Sequence, residues 1–264
     1  MEQISSLQNS RVKHLVLLQQ KSSLRREEGC FVVEGQREVM HCLKSGYEIF
    51  EMYVLDESLA LDAICQQSLS IGTSPQVFVV TPKVYEKIAY RGGTEGVVAV
   101  VKAKLKGLSD LTLRENPLVV VLESVEKPGN LGAILRSADA SGADAVIVCD
   151  PLTDLYNPNL IRSSIGAIFT VPCVACSSED CISFLKEKNI QILTAQLQDS
   201  SLYYEQDMKK GTALVMGTES IGLTNVWRKA ADAHIRIPML GQLDSLNVSV
   251  STAILLYEAV RQRQ

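Results

Sequence analysis

Apolar residues in the first hundred positions recur with two different periods. Val12, Leu15 and Leu18 lie at helical spacing and predict a helix over 7–20. Short apolar segments bounded by polar or turn residues predict strands at 31–33, 49–55, 77–80 and 96–101. Helical patterns lie between them, at 39–43, 59–69 and 83–90. The alternation predicts a compact α/β unit of roughly 100 residues.

The second half of the chain has a different pattern, because its apolar segments are continuous rather than alternating. The continuous segments predict strands at 118–122, 145–149 and 213–216, a mostly apolar segment predicts one at 191–197, and a further short strand is expected at 235–237. Helices are expected between and after them, at 131–141, 159–165, 179–188, 225–231 and 250–260. Continuous apolar strands are typical of a parallel sheet buried on both faces. The pattern therefore predicts a doubly wound α/β domain.

A polar, basic stretch, Lys102 to Asp110, separates the two patterns. We place the domain boundary here, with predicted domains at 1–105 and 106–264. Three lysines alternate along this stretch, at Lys102, Lys104 and Lys106. They could contact phosphates, but such a run is more often a solvated linker.

The composition excludes several protein classes. Hydrophobic residues make up 46% and charged residues 21%, which is unlike a disordered chain. No apolar run approaches the roughly 20 residues of a membrane span, and the N-terminus lacks the pattern of a secretory signal. We therefore expect a soluble cytoplasmic protein. The net charge of −4 argues against non-specific coating of nucleic acid but allows a local basic patch.

Seven cysteines are present, an odd number in a chain too long to need disulfides, so reduced thiols are expected. Cys173 and Cys176 form one Cys-x-x-Cys pair, with Cys181 nearby. A structural zinc site needs four ligands, and the histidines are distant in sequence. We expect no metal site, only buried or half-buried thiols.

Polar residues follow three of the predicted strands, where ligands of open α/β sheets bind. After the strand at 118–122, Pro128 and Gly129 suggest a turn, Asn130 is a suitable helix N-cap, and Arg136 follows. An ordinary capped strand-to-helix turn would look the same.

The loop after the strand at 213–216 has the spacing of a phosphate loop, from Gly217 to Gly222. Leu223 stands where the phosphate-binding lysine belongs, and Glu219 would repel phosphate. The loop therefore argues against a nucleotide triphosphatase. Glycines beside a carboxylate suit a ligand that carries positive charge, such as a sulfonium or an ammonium.

The third segment runs from Ile237 to Ser249. Ser245, Asn247 and Ser249 alternate with apolar residues before a predicted helix, either as N-capping residues or as a pocket lining. No histidine lies within any of the three segments, which argues against a Ser–His–Asp hydrolase. A dinucleotide-dependent oxidoreductase is disfavoured because no G-x-G-x-x-G follows a strand.

Together, the three segments resemble the signature motifs of the SpoU/TrmH family of RNA ribose 2′-O-methyltransferases. The resemblance lies in Asn130-x-Gly132-x-x-x-Arg136, in Gly217-x-Glu219-x-x-Gly222, and in Ile237-Pro238-Met239 with Ser245-Leu246-Asn247-Val248-Ser249. It covers roughly residues 117–264. More loosely, Arg25-Arg26 through Glu34-Gly35 resembles the family's substrate-binding domain, which is related to RNA-binding ribosomal proteins.

The resemblance implies a methyltransferase that uses S-adenosylmethionine on rRNA or tRNA, works as a homodimer and has a C-terminal trefoil knot (the α/β knot, or SPOUT, fold). The residues implied as catalytic are Asn130, Arg136, Glu219, Ser245 and Asn247. Those implied to hold the cofactor, largely through backbone, are Gly217, Ile237, Met239, Leu246 and Val248. Arg136 would act either as the base or as a charge that stabilises the developing alkoxide. The alternative is a non-catalytic RNA-binding or ribosome-assembly factor with the same fold.

Overall fold

The computed structural model describes residues 2–55, 61–70, 72, 74–90, 95–218 and 221–264. The predicted site residue Glu219 lies outside these residues, as does the beginning of the helix predicted at 59–69. The described chain divides into two compact units. One contains residues 2–105 and 154–170, and the other contains 106–153 and 171–264.

All the strands predicted from the sequence are present, with bounds that differ by a few residues at most. In the first unit the strands are β1 (Glu2–Ile4), β2 (Cys30–Glu34), β3 (Ile49–Val54), β4 (Gln76–Val80) and β5 (Val97–Lys102). In the second they are β6 (Leu118–Glu123), β7 (Ala145–Cys149), β8 (Cys173–Cys176), β9 (Gln191–Ala195), β10 (Ser201–Leu202), β11 (Thr212–Met216) and β12 (Ala233–Arg236). Strands β1, β8 and β10 were not predicted, because segments of two to four residues carry too little periodicity.

The helices also follow the predicted order. The first unit contains α1 (Ser10–Gln20), α2 (Ser22–Glu28), α3 (Gln36–Lys44), α4 (Leu61–Ser70), α5 (Pro82–Ile88), α7 (Pro158–Ser163) and α8 (Ala167–Thr170). The second contains α6 (Pro128–Ser141), α9 (Ser178–Glu187), α10 (Asn225–Ala230) and α11 (Val248–Arg263). The short helices α2 and α8 were not predicted. No helix within the described part of the chain is long and apolar enough to cross a membrane.

The first unit is built on a mixed sheet in the order β1-β4-β3-β5-β2. Strands β1, β4 and β3 run parallel, and β5 is antiparallel to both β3 and β2. Helix α1 begins where the Asn9 side chain accepts a hydrogen bond from the Arg11 backbone N–H. Its buried residues, Val12, Leu15 and Leu18, are those of the predicted apolar stripe.

One segment of the predicted second domain, 154–170, packs in the first unit instead. The Tyr156 ring stacks on the buried Phe31 ring with centroids 4.1 Å apart, and Phe169 stacks on Phe31 at 6.0 Å. The buried Arg25 Nε donates to an Asp154 carboxylate oxygen at 2.6 Å. The predicted domain of 106–264 therefore differs from the second unit by this segment, because helical periodicity does not specify which sheet a helix covers.

The sheet of the second unit has the order β10-β12-β9-β11-β6-β7-β8. Every strand pair in it is parallel, as the continuous apolar segments predicted. The chain moves outward from β6 through β7 to β8 and then crosses to the other side of β6. Ligands of such sheets bind where the strand order reverses, beyond the carboxyl ends of the strands. A ligand site is therefore expected among the loops that follow β6, β9, β11 and β12.

Candidate functional site

A cavity of about 600 Å³ lies in the second unit, at the carboxyl ends of β9, β11 and β12. Its size falls within the range of small-molecule sites. Seven of the ten predicted catalytic and cofactor-binding residues line it: Gly217, Ile237, Met239, Ser245, Leu246, Asn247 and Val248. The loops after β11 and β12 thus converge on one pocket.

A second cavity of about 310 Å³ brings in the loop after β6. It is lined by Glu126, Lys127 and Asn130, and it shares Gly217, Thr218 and Val248 with the first cavity. The shared lining places the three predicted segments side by side.

A side-chain hydrogen bond links two of these segments. The Asn247 side-chain amide donates to the Asn130 side-chain oxygen at 3.1 Å. Asn247 is also the N-cap of α11, since its Oδ1 accepts from the Ser249 backbone N–H at 3.0 Å. The two sequence-based interpretations of this segment, a cap and a pocket lining, therefore both apply to Asn247.

Within a single chain, Arg136 does not line this site. It is exposed and lines neither cavity. The prediction of Asn130 as the N-cap of this helix was wrong, because α6 begins at Pro128 and its N-cap is Lys127. Both Asn130 and Arg136 are thus inside α6. Because they are six residues apart along the helix, their side chains point about 120° apart around its axis.

Two described residues of the loop that follows β11 are hydrogen-bonded to each other. Backbone hydrogen bonds link Thr218 and Gly222 in both directions, at 3.3 and 3.1 Å. A Cβ on Gly217 would lie 2.3 Å from the Gly222 carbonyl carbon, so only glycine fits at this position. Gly222 itself has a φ of 69°, the left-handed region that glycine adopts freely.

The end of this loop is fixed by Glu123, a residue that the sequence did not single out. Its buried carboxylate accepts hydrogen bonds from the Thr224 backbone N–H at 2.8 Å and from the Thr224 hydroxyl at 2.6 Å. Thr224 is the N-cap of α10. A carboxylate at the last residue of β6 therefore positions the glycine loop, and its only signal in the sequence was its place at the end of a strand.

Two further polar groups in the large cavity were missed. The Gln196 Oε1 acceptor and the Arg228 Nε donor are buried and have no hydrogen-bond partner among the described residues. Both residues line the cavity. Gln196 directly follows β9, but it lay inside the strand predicted at 191–197, and Arg228 lies inside α10. Buried polar groups without partners are costly, which makes these two atoms suitable contacts for a polar ligand.

The chain matches two family models. Residues 117–257 match the SpoU rRNA Methylase family, and residues 9–99 match the MRM3-like substrate binding domain. Two similar proteins are the "23S rRNA (guanosine(2553)-2′-O)-methyltransferase RlmP" of Bacillus subtilis and the "23S rRNA (uridine(2479)-2′-O)-methyltransferase" of Streptomyces viridochromogenes. The first is 30% identical over 257 residues, covering 97% of this chain and 98% of the relative. The second is 30% identical over 262 residues, covering 97% and 91%.

A solved structure gives the same result. The AdoMet-bound rRNA methyltransferase from Sinorhizobium meliloti superimposes with a TM-score of 0.90 at 31% identity, covering 98% of this chain and 97% of that one. The first family model spans more than half of the chain, and the relatives cover nearly all of it. The resemblance found in the three motifs is confirmed, and the chain belongs to the SpoU rRNA Methylase family.

Proposed function

We propose that this protein transfers the methyl group of S-adenosylmethionine to a ribose 2′-hydroxyl of ribosomal RNA. The observation that carries the proposal is the convergence of the loops after β6, β11 and β12 on the two adjoining cavities. The relatives are named for 2′-O-methylation of 23S rRNA, one at a guanosine and one at a uridine. The ribose is therefore the expected target, and rRNA is favoured over tRNA.

The residues of the large cavity suit this cofactor. Ile237, Met239 and Leu246 offer apolar surface, and the backbone of the Gly217 loop approaches closely. The unpartnered Gln196 acceptor and Arg228 donor would satisfy polar groups of the nucleoside or the amino-acid part. S-adenosylmethionine supplies, when bound, a methyl group on a positively charged sulfur that needs no further activation. Glu219 is assigned to shaping the cofactor loop.

The hydrogen-bonded pair of Asn130 and Asn247 is assigned to orienting the reacting ribose, with Ser245 beside it. Positioning supplies much of the rate when the methyl group is already activated. A sugar hydroxyl is a weak acid, so its developing alkoxide needs stabilisation. We assign this role to Arg136, since arginine in proteins stays protonated.

We further propose a homodimer. Arg136 and Asn130 point about 120° apart on α6, so a second copy that brings its own α6 would complete the site. Helix α11, which packs on α6, exposes 47% of Val250 and 51% of Tyr257. An exposed apolar stripe beside the site suits a second copy of the chain. The oligomeric state follows from analytical ultracentrifugation, and a monomer that is fully active would contradict this assignment.

The N-terminal unit is assigned to RNA binding. Its match to a substrate-binding domain supports this role. Arg25 is not available, because it is buried and bonds to Asp154 and to the Leu18 carbonyl oxygen. Arg26, its exposed neighbour in α2, is the better candidate for a phosphate contact. An rRNA substrate would place the enzyme in the cytoplasm.

We also propose the trefoil knot for the C-terminal segment. What supports it is the path of the chain, which leaves β12 beside β9 and returns in α11 to pack against α6, β6 and β11. A segment that re-enters the sheet region in this way has the course of a threaded chain, a rare exception among folds.

The test uses the purified chain, labelled S-adenosylmethionine and rRNA that lacks the modification. Digestion and mass spectrometry should find the label on a ribose. A methyl group on a base would overturn the proposed reaction. If the chain binds rRNA but calorimetry detects no S-adenosylmethionine binding, a non-catalytic assembly factor would be the correct assignment.

A further inference from the structure

Three cysteine side chains meet in the second unit, away from the two cavities. Cys149 ends β7, Cys176 ends β8, and Cys181 lies in the first turns of α9. Their sulfur atoms all lie within 4.8 Å of one another. Cys149 and Cys176 are direct partners in the register of the two parallel strands. We call these three residues the thiol cluster.

The pair that the sequence suggested, Cys173 and Cys176, is not the pair that the fold brings together. Cys176 packs in the same core as Cys149 and Cys181, whereas Cys173 does not. Cys173 and Cys176 are three residues apart on a strand, and side chains at odd spacing point to opposite faces of a sheet. Cys149, the member of the cluster on the neighbouring strand β7, lies close to Cys176 in the fold. Spacing within the sequence could not reveal this.

The spacing of the sulfur atoms suits a metal ion. Metal–sulfur bonds of about 2.3 Å place the sulfurs of a three- or four-coordinate site about 3.8–4.0 Å apart. The sulfurs of the cluster lie within 4.8 Å of one another, which exceeds that separation by at most about 1 Å. Cys149 and Cys181 are fully buried, and Cys176 is half-buried, so Cys176 provides the side open to solvent.

Among the described residues, the atoms that could hold a metal ion here are the three sulfurs. Two carboxylates close to the cluster in sequence accept hydrogen bonds from hydroxyl groups: Asp150 from Ser178 at 2.6 Å, and Asp180 from Ser177 at 2.7 Å. Zinc prefers four ligands, whereas soft monovalent copper accepts three thiolates. We propose that Cys149, Cys176 and Cys181 bind a single Cu⁺-class soft metal ion through three sulfur atoms. Each thiol that becomes a ligand releases its proton to solvent.

Such an ion would join the ends of β7, β8 and α9. A backbone hydrogen bond also connects the cluster to the loop that follows β6, because the Cys149 carbonyl oxygen accepts from the Ser124 N–H at 2.9 Å. A ligand that binds only the folded state raises the midpoint of thermal unfolding. Metal binding should therefore stabilise the chain, independently of any methyltransferase activity.

The experiment uses the full chain, reduced under anaerobic conditions and titrated with Cu⁺ against a chromogenic chelator, with Zn²⁺ in a parallel titration. A single Cu⁺ ion per chain and a higher thermal midpoint are expected. Loss of a residue that only hydrogen-bonds to a metal ligand typically weakens metal binding by about 10–100-fold. Cys176→Ser removes a ligand itself and should weaken Cu⁺ binding by more than that. Cys181→Ser should do the same. Cys173→Ser is the matched control, on the same strand but the opposite face, and should bind as the unsubstituted chain does.

X-ray absorption on the Cu⁺ complex should find sulfur neighbours only. The proposal would be overturned if the chain fails to compete with the chelator, or if Cys173→Ser weakens binding as much as Cys176→Ser. Oxygen or nitrogen neighbours, or tighter retention of Zn²⁺ than of Cu⁺, would overturn the assignment of the ion. Cys176→Ser keeps the test sound even if substitution of the fully buried Cys149 prevents folding.

Discussion

Asn247 donates a hydrogen bond to Asn130 across 117 positions of sequence, with 3.1 Å between the two side-chain atoms. The same Asn247 side chain caps α11 through its oxygen. One residue thus fixes the start of the last helix and ties it to the first turn of α6. The two functions use different atoms of the amide and can be separated by substitution.

Asn247→Asp should lower activity without much loss of stability. Aspartate keeps an oxygen for the Ser249 N–H but cannot donate to Asn130. We expect a fall in methyl transfer of about 10²-fold, the typical cost of a misplaced reacting group. Single-turnover assays and urea unfolding provide the two measurements.

Asn247→Ala is the companion variant, because it removes the cap as well. It should lose activity similarly and also cost about 0.5–2 kcal/mol of unfolding free energy. Equal stability of the alanine and aspartate variants would contradict the assignment of Asn247 as a structural cap.

Gly217→Ala should disrupt the cofactor loop. The added Cβ would lie 2.3 Å from the Gly222 carbonyl carbon and 2.6 Å from the Leu223 nitrogen, both of which are backbone atoms. We expect destabilisation of about 1–3 kcal/mol, as for an overpacked site, and loss of cofactor binding in calorimetry. Gly241→Ala is the control, because nothing lies within 4 Å of its added Cβ. Normal S-adenosylmethionine binding by Gly217→Ala would show that the close packing of this loop is not needed to bind the cofactor.

Arg228→Met should weaken cofactor binding by about 10-fold or more, because it removes a buried donor that has no partner among the described residues. The unfolding free energy should change little, since Nε makes no hydrogen bond to the described residues. Lys229→Met, an exposed neighbour on α10 outside the cavity lining, is the matched control. If both variants bind S-adenosylmethionine like the unsubstituted chain, Arg228 does not contact the cofactor.

Arg136→Ala should separate cofactor binding from catalysis. The side chain is exposed and outside both cavities, so cofactor affinity and the thermal midpoint should stay the same. Methyl transfer should fall by about 10²–10³-fold, the typical cost of one group that stabilises a transition-state charge. Asp139→Ala, exposed on the same helix, provides the comparison. Unchanged turnover in Arg136→Ala would remove this residue from the mechanism.

Much of this architecture could be predicted because it depends on local pattern. The continuous apolar segments identified the parallel sheet, and strand ends identified Gly217, Asn247 and Asn130. The contacts that could not be predicted join residues that are far apart in sequence. The Glu123–Thr224 contact and the packing of 154–170 on Phe31 join residues that no spacing rule connects. Asn130 was misplaced as a cap because Pro128 is compatible with both a turn and a helix start.

The buried Asp144 should make the stability of the second unit depend on acid pH. Burial raises the pKa of its carboxyl, but hydrogen bonds from Arg114 and from the Leu118 N–H outweigh this and hold the pKa below its ordinary value. The stabilisation is therefore present above the unfolded-state pKa of about 3.9 and is lost as the pH falls through the lower folded-state pKa. Asp144→Asn should cost about 1–3 kcal/mol near neutral pH and progressively less in acid. Glu115→Gln, an exposed neighbour, should show no such trend in urea unfolding measured across this range. A constant difference between the unsubstituted chain and Asp144→Asn down to about pH 2 would contradict the assigned ion pair.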